Sequence, residues 1–130
     1  MKIYTKLIFL FAVLIFIDQI TKHFSNNPIC NRNIAWNIPI ALAIFYLTWI
    51  IIVAVLIYFF FKIHSYSQQV FIAVVLSGAF SNLIDRIRMG CVIDYIDLKF
   101  WPVFNLADVY ITLGVILVLL NIIRNKNTKY

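Results

Sequence analysis

The chain has 130 residues, 64% of them hydrophobic and 12% charged, with a mean hydropathy of +0.96 and a formal net charge of +6. So apolar a chain cannot present an ordinary water-facing surface, and its length allows about four helical crossings of a hydrocarbon layer roughly 30 Å thick. The Lys and Arg residues stand at the ends of apolar runs rather than on the face of a soluble domain, which argues against nucleic acid as a partner.

Met1 to Lys6 is a short basic start, followed by the unbroken apolar run Leu7 to Ile17 and then by Asp18, Gln19, Thr21 and Lys22. No small-residue cleavage site follows the run, so it reads as a retained membrane helix rather than a signal peptide. His23 to Asn37 is a polar loop with Pro28, several Asn and the interfacial Trp36. Ile38 to Phe61 is the longest apolar run, closed by Lys62 and carrying no chemistry. After a polar turn, Val70 to Ile84 forms a somewhat short third helix that runs into Asp85 and Arg86. Arg88 to Val103 mixes Gly90, β-branched residues and Pro102, the composition of an interfacial loop with some strand or amphipathic character. Phe104 to Ile123 is the fourth helix, and a basic tail follows from Arg124. The expectation is an all-α membrane protein: one integral membrane domain over residues 1–130, with helices at about 4–22, 38–61, 69–86 and 104–123. A small extracytoplasmic loop and strand region would lie at its outer interface.

Charge sets the expected topology. The N-terminus, the second connection and the C-terminus carry Lys2, Lys6, Lys62, Arg124, Lys126 and Lys129 without one acid. The opposite face carries five basic residues against all five aspartates, and the chain has no Glu. Both termini are therefore expected in the cytoplasm, with every carboxylate toward the outer face.

Ionisable groups this close to a bilayer are costly and read first as functional candidates. Asn82, Asp85 and Arg86 fall on one helical face, and Asn105 and Asp108 repeat the i, i+3 spacing. If these groups converge with Asp94, two carboxylates could share one proton, one serving as base and the other as acid. Neither His23 nor His64 has a metal-like or nucleophile-like companion, and no phosphate loop or nucleotide fingerprint is present, so no metal or cofactor is expected.

Five short motifs then follow in order: Asp18-Gln19-Ile20-Thr21-Lys22, Asn31-Arg32-Asn33-Ile34-Ala35-Trp36, Ser81-Asn82-Leu83-Ile84-Asp85-Arg86, Val92-Ile93-Asp94-Tyr95 and Phe104-Asn105-Leu106-Ala107-Asp108. With these the chain resembles the lipoprotein signal peptidase (signal peptidase II) family of bacterial membrane aspartyl proteases. Asn33 and Ser81 stand where that family usually has Gly. The resemblance implies an endopeptidase of the bacterial inner membrane that removes signal peptides from diacylglyceryl-modified prolipoproteins, with Asp94 and Asp108 as catalytic dyad. Asn82, Arg86 and Asn105 would orient the dyad or hold the substrate backbone, and Asp18, Lys22 and Asn31 would support the site. Membrane lipids and lipid-modified precursors are the expected partners, and a monomer the expected state. Two connections, Lys22 to Asn31 and Asp94 to Asp108, look shorter than is common in the family, which bears on the extracytoplasmic cradle around the substrate.

Several residues keep a plainer reading. Asp18 and Lys22 also fit an i, i+4 ion pair finishing a helix, Asp85 fits a structural anchor for the loop beneath the site, and Asp97 fits a solvated interfacial charge. Cys30 and Cys91 fall on the same side, so a disulfide is open to them; two cysteines without a framework are expected as free thiols. The rival functions are a catalytically silent scaffold of the same fold and a proton-coupled transporter. The missing discontinuous repeat argues against the transporter.

Overall fold

The computed structural model describes residues 2–32 and 42–127. Among the described residues the four apolar runs are four helices, each long and apolar enough to cross a membrane. These are α1 (Lys2–Phe24), α2 (Leu42–Lys62), α3 (Tyr66–Met89) and α4 (Leu106–Asn127), and two short strands, β1 (Ile29–Asn31) and β2 (Val92–Asp94), join them. Positions 38–41 of the expected second helix, and Asn33 to Trp36 of the second motif, lie outside the described residues.

The helix ends follow local chemistry. The third helix is not short: it gains about a turn at its C-terminal end and stops at Gly90, whose φ of 72° is left-handed and whose N–H returns to the Arg86 carbonyl. The fourth starts at Leu106 rather than Phe104, because Phe104 is held in an antiparallel bridge with Ile96.

The helices pack around α3. Half of its most apolar stretch is buried inside the protein, against 11% or less in each of the other three. Lipid tails are as apolar as Leu, so helices in a bilayer gain little by burying hydrophobic side chains against one another and rely on close packing instead. The small residues Ser77, Gly78 and Ser81 on α3 permit it. A Cβ at Gly78 would collide with the Ala107 carbonyl oxygen of α4, and one at Gly114 would lie 2.5 Å from Val75 Cγ2. Thus α3 and α4 meet nearly backbone to backbone. On the other side of α3, Val53, Ile72 and Leu76 form a core joined by Phe11, Trp49 and Phe80. Gln69 donates from Nε2 to the Phe60 and Ile63 carbonyls and closes the α2–α3 turn.

Strands β1 and β2 pair antiparallel, with Ile29 opposite Asp94 and Asn31 opposite Val92. Contrary to the free thiols expected from sequence, Cys30 and Cys91 are joined by a disulfide. The antiparallel ladder brings the cysteines together although 61 residues separate them, a proximity that spacing alone does not reveal. Closing a loop of that length removes unfolded-state entropy worth about 4 kcal/mol in the chain-entropy model. Replacing both cysteines with Ser should therefore lower the thermal midpoint in detergent. Dithiothreitol should bring the wild type down to the same value while leaving the double variant unchanged.

Candidate active site

All five aspartates gather at one end of the bundle, where α1 and α3 end, α4 begins and the sheet crosses between them. This is the arrangement of a localised site, since a relay across a membrane needs carboxylates at several depths. The deepest part of the site is ionic. Lys22 Nζ lies 2.7 Å from Asp18 Oδ2, 2.7 Å from Asp85 Oδ2 and 2.8 Å from Asn82 Oδ1, with its side chain 4% exposed. The two carboxylates complete their coordination with uncharged donors. Asp18 accepts from Ser81 Oγ at 2.6 Å and from the Ala107 N–H at 2.8 Å. Asp85 accepts from Gln19 Nε2 at 2.8 Å and from the Ile93 N–H at 3.2 Å. Among the described residues no buried side-chain nitrogen or oxygen lacks a partner.

Each of those backbone contacts reaches toward a candidate catalytic residue. Ala107 is in the first turn of α4, one position before Asp108, and its N–H is one of the donors that a helix start leaves unpaired. Asn105 caps the same turn: its Oδ1 accepts from the Asp108 N–H at 3.0 Å, and Asp108 Oδ2 accepts from the Asn105 N–H at 3.3 Å. This reciprocal pair is a capping box built from Asn and Asp, and it explains their i, i+3 spacing. Ile93 immediately precedes Asp94 in β2, so Asp85 anchors the strand that bears it.

The two candidate carboxylates converge on Asn105, which is fully buried. Asn105 Nδ2 donates to Asp94 Oδ1 at 2.7 Å, while its backbone N–H serves Asp108 Oδ2. Asn82 Nδ2 donates to Asp108 Oδ1 at 2.8 Å, and Asn31 Nδ2 donates to Asp94 Oδ2 at 3.0 Å. Arg86 stands at the edge, with its guanidinium 4.3 Å from the centre of the Phe45 ring and a long 3.5 Å bond to the Arg32 carbonyl. The residues singled out from the sequence, Asp18, Lys22, Asn31, Asn82, Arg86, Asn105, Asp94 and Asp108, are thus assembled in one place. Asp97 is apart from them, exposed and paired with Lys99 at 2.6 Å, a contact that holds its carboxyl below the usual range.

Sequence reasoning did not find the connecting roles of Gln19, Ser81, Thr21 and Tyr95. Gln19 bridges Ser81 and Asp85, and the Tyr95 hydroxyl donates to Thr21 Oγ1 at 2.8 Å, tying the residue after Asp94 to α1. The available signal was Ser81 in a position where glycine is usual: a hydroxyl added to a packed helix interface needs polar partners, and Asp18 and Gln19 supply them.

Asp94 and Asp108 border a groove of about 930 Å³. Its polar end carries Asn31, Asn82 and Arg86, and its apolar walls come from α2, including Trp49 and Ile52, and from α4 at Ile111. Burial raises the Asp94 carboxyl to about 6, and the charge of Asp108 adds to the rise, while hydrogen bonds from Asn31 and Asn105 and the charge of Lys22 oppose it. The group is therefore placed to change protonation near neutral pH.

A family model described as signal peptidase (SPase) II matches residues 23–124. Lipoprotein signal peptidases of Staphylococcus aureus strains JH9 and Newman are each 36% identical over 119 residues, an alignment spanning 85% of this chain and 73% of theirs. Two solved structures, both described as bacterial membrane enzymes studied by the in meso method, superpose closely. One has a TM-score of 0.86 at 30% identity, covering 97% of this chain and 92% of its own; the other has 0.79 at 29%, covering 91% and 92%.

Two predictions test this network. Lys22→Met would leave the buried carboxylates of Asp18 and Asp85 without their cation. The expected cost is about 3–5 kcal/mol, seen as a large drop in thermal midpoint or in folded yield. The second concerns pH. An unfolded Asp ionises near 3.8 and Asp94 in the folded protein near 6, so between these values the folded state binds more protons and stability falls as pH rises. Asp94→Asn lacks this group. Its thermal midpoint relative to wild type should therefore rise between about pH 4 and pH 7, and a difference independent of pH would contradict the assignment.

Proposed function

The chain belongs to the signal peptidase II family of aspartic peptidases, which cleave signal peptides from prolipoproteins, and on that premise we propose that Asp94 and Asp108 are its catalytic pair, acting on precursors that carry a diacylglyceryl group. The observation that carries this reading is their convergence on Asn105 at the end of a groove with one polar and one apolar part.

Two carboxylates in such proximity favour holding one proton between them, because the second ionisation must overcome the charge of the first. The ionised partner takes a proton from a water molecule as the water oxygen attacks the scissile carbonyl. The protonated partner donates to the carbonyl oxygen as its electrons shift. Collapse of the tetrahedral intermediate breaks the C–N bond, and a proton passes to the departing amine. Asn105 and Asn82 keep the carboxylates in register during these transfers, and Asn31 does the same for Asp94 from β1. Arg86 and the Asn side chains face the part of the groove where a peptide backbone needs hydrogen-bond partners. Asp18 and Lys22 act one step back, through the start of α4 and through Asn82.

The distribution of charge supports a multi-pass protein with both termini in the cytoplasm and the site near the outer face, since the segments remote from the aspartates carry only basic residues. A lipid anchored in the outer leaflet then lies level with the dyad. The decisive experiment incubates purified protein with a diacylglyceryl-modified prolipoprotein and with the same precursor lacking lipid. Cleavage should require the lipid; equal cleavage of both would sink the substrate assignment. Asp94→Asn and Asp108→Asn should each insert normally yet lower turnover by roughly three orders of magnitude or more, and the double variant should lose little beyond either. Asp97→Asn should keep most activity.

A further inference from the structure

A second, smaller cleft of about 320 Å³ lies between the 97–103 loop and α4. Its lining is apolar except for Asp108, the Thr112 hydroxyl and the indole N–H of Trp101. Leu98, Phe100 and Trp101 form one wall, and Val109, Thr112 and Leu113, spaced i, i+3 and i+4 on α4, form the other. Trp101, Phe104, Asp108 and Thr112 also border the larger groove, so the two spaces adjoin at these four residues.

We propose that this cleft is the acyl-chain subsite of the enzyme, receiving a fatty chain of the lipid carried beside the scissile bond, while the larger groove receives the peptide. The inference rests on the function proposed above and adds where the two parts of the substrate go. A peptide cannot leave its N–H and C=O groups unpaired in an apolar slot, and besides Asp108 the side chains lining the cleft offer it only the Thr112 hydroxyl and the Trp101 indole N–H. The larger groove offers Asn31, Asn82 and Arg86. A hydrocarbon chain makes no such demand. The α4 wall belongs to a helix of membrane length, and its Leu113 is 51% exposed, so the cleft is open to the hydrocarbon from which a chain would enter. The opposite rim is unusually apolar for a loop: Phe100 is 83% exposed, Trp101 50% and Leu98 44%. Because Asp108 belongs to the lining, a chain seated here is attached within reach of the dyad. Lipid recognition is thereby coupled to the position of the scissile bond.

The test compares precursors carrying long and short diacyl chains. Leu113→Trp fills the cleft, and Leu117→Trp places the same bulk one turn further along α4, where it borders neither space. Phe100→Ser removes the exposed rim without touching the helix packing. Leu113→Trp and Phe100→Ser should each raise KM for the long-chain precursor about tenfold, equivalent to losing the burial of about two methylenes, at nearly constant kcat. Both should also erase the preference for long chains. Leu117→Trp should retain the wild-type preference. If the wild type cleaves lipidated precursor and Leu113→Trp and Phe100→Ser behave like Leu117→Trp, the subsite is wrong and the function stands. Failure of the wild type to cleave any lipidated precursor removes both.

Discussion

The ammonium of Lys22 is the interaction on which the arrangement depends. It joins the end of α1 to two successive turns of α3 by meeting Asp18, Asn82 and Asp85 at hydrogen-bond distance. Burying one cation with two anions costs several kcal/mol of solvation for each ion, and the cost is offset only when every remaining lone pair is satisfied. That requirement places Ser81, Gln19 and the N–H groups of Ala107 and Ile93 around the two carboxylates. The last two contacts make the network consequential. They pin the residues that immediately precede Asp108 and Asp94, so the ionic cluster locates both candidate catalytic groups without touching the groove.

Close packing of α3 and α4 serves the same end. Glycine at 78 lets the carbonyl of Ala107 approach α3, and the first turn of α4 is thereby held against the helix that supplies Asn82. A bulkier side chain there would push away the turn that carries Asp108. The absence of a Cβ at one position therefore bears on the chemistry several ångströms away, through rigid helices in backbone contact.

The strand region beside the candidate site is held by more than its short strands. A two-stranded ladder of three residues on each side is marginal by itself. The Cys30–Cys91 disulfide fixes it next to Asn31, whose amide holds Asp94, and the hydroxyl of Tyr95 ties the following residue to Thr21 on α1. Covalent closure and side-chain bonds provide the rigidity that these short connections could not obtain from a larger sheet.

The sequence by itself determined the four helices, their apolar character and the polar residues Asp18, Lys22, Asn31, Asn82, Arg86, Asp94, Asn105 and Asp108 of the candidate site. Hydropathy and charge are summed along the chain, and the five motifs are local, so no spatial information is needed to read them. The local i, i+4 pair of Asp18 and Lys22 was legible in the same way, and so were the three Asn side chains. Tertiary structure alone decided the partners. Gln19 and Asp85 are 66 residues apart, Asp18 and the Ala107 N–H 89, and the two cysteines 61. Such contacts depend on how helices cross and in what register a strand pairs, and these follow from the shape of packed side chains rather than from spacing in the chain. The disulfide was misjudged, and the roles of Gln19, Ser81 and Tyr95 missed, for that one reason. The Asp18–Lys22 pair, which fitted both the finish of one helix and a support for the site, is the junction of three helices.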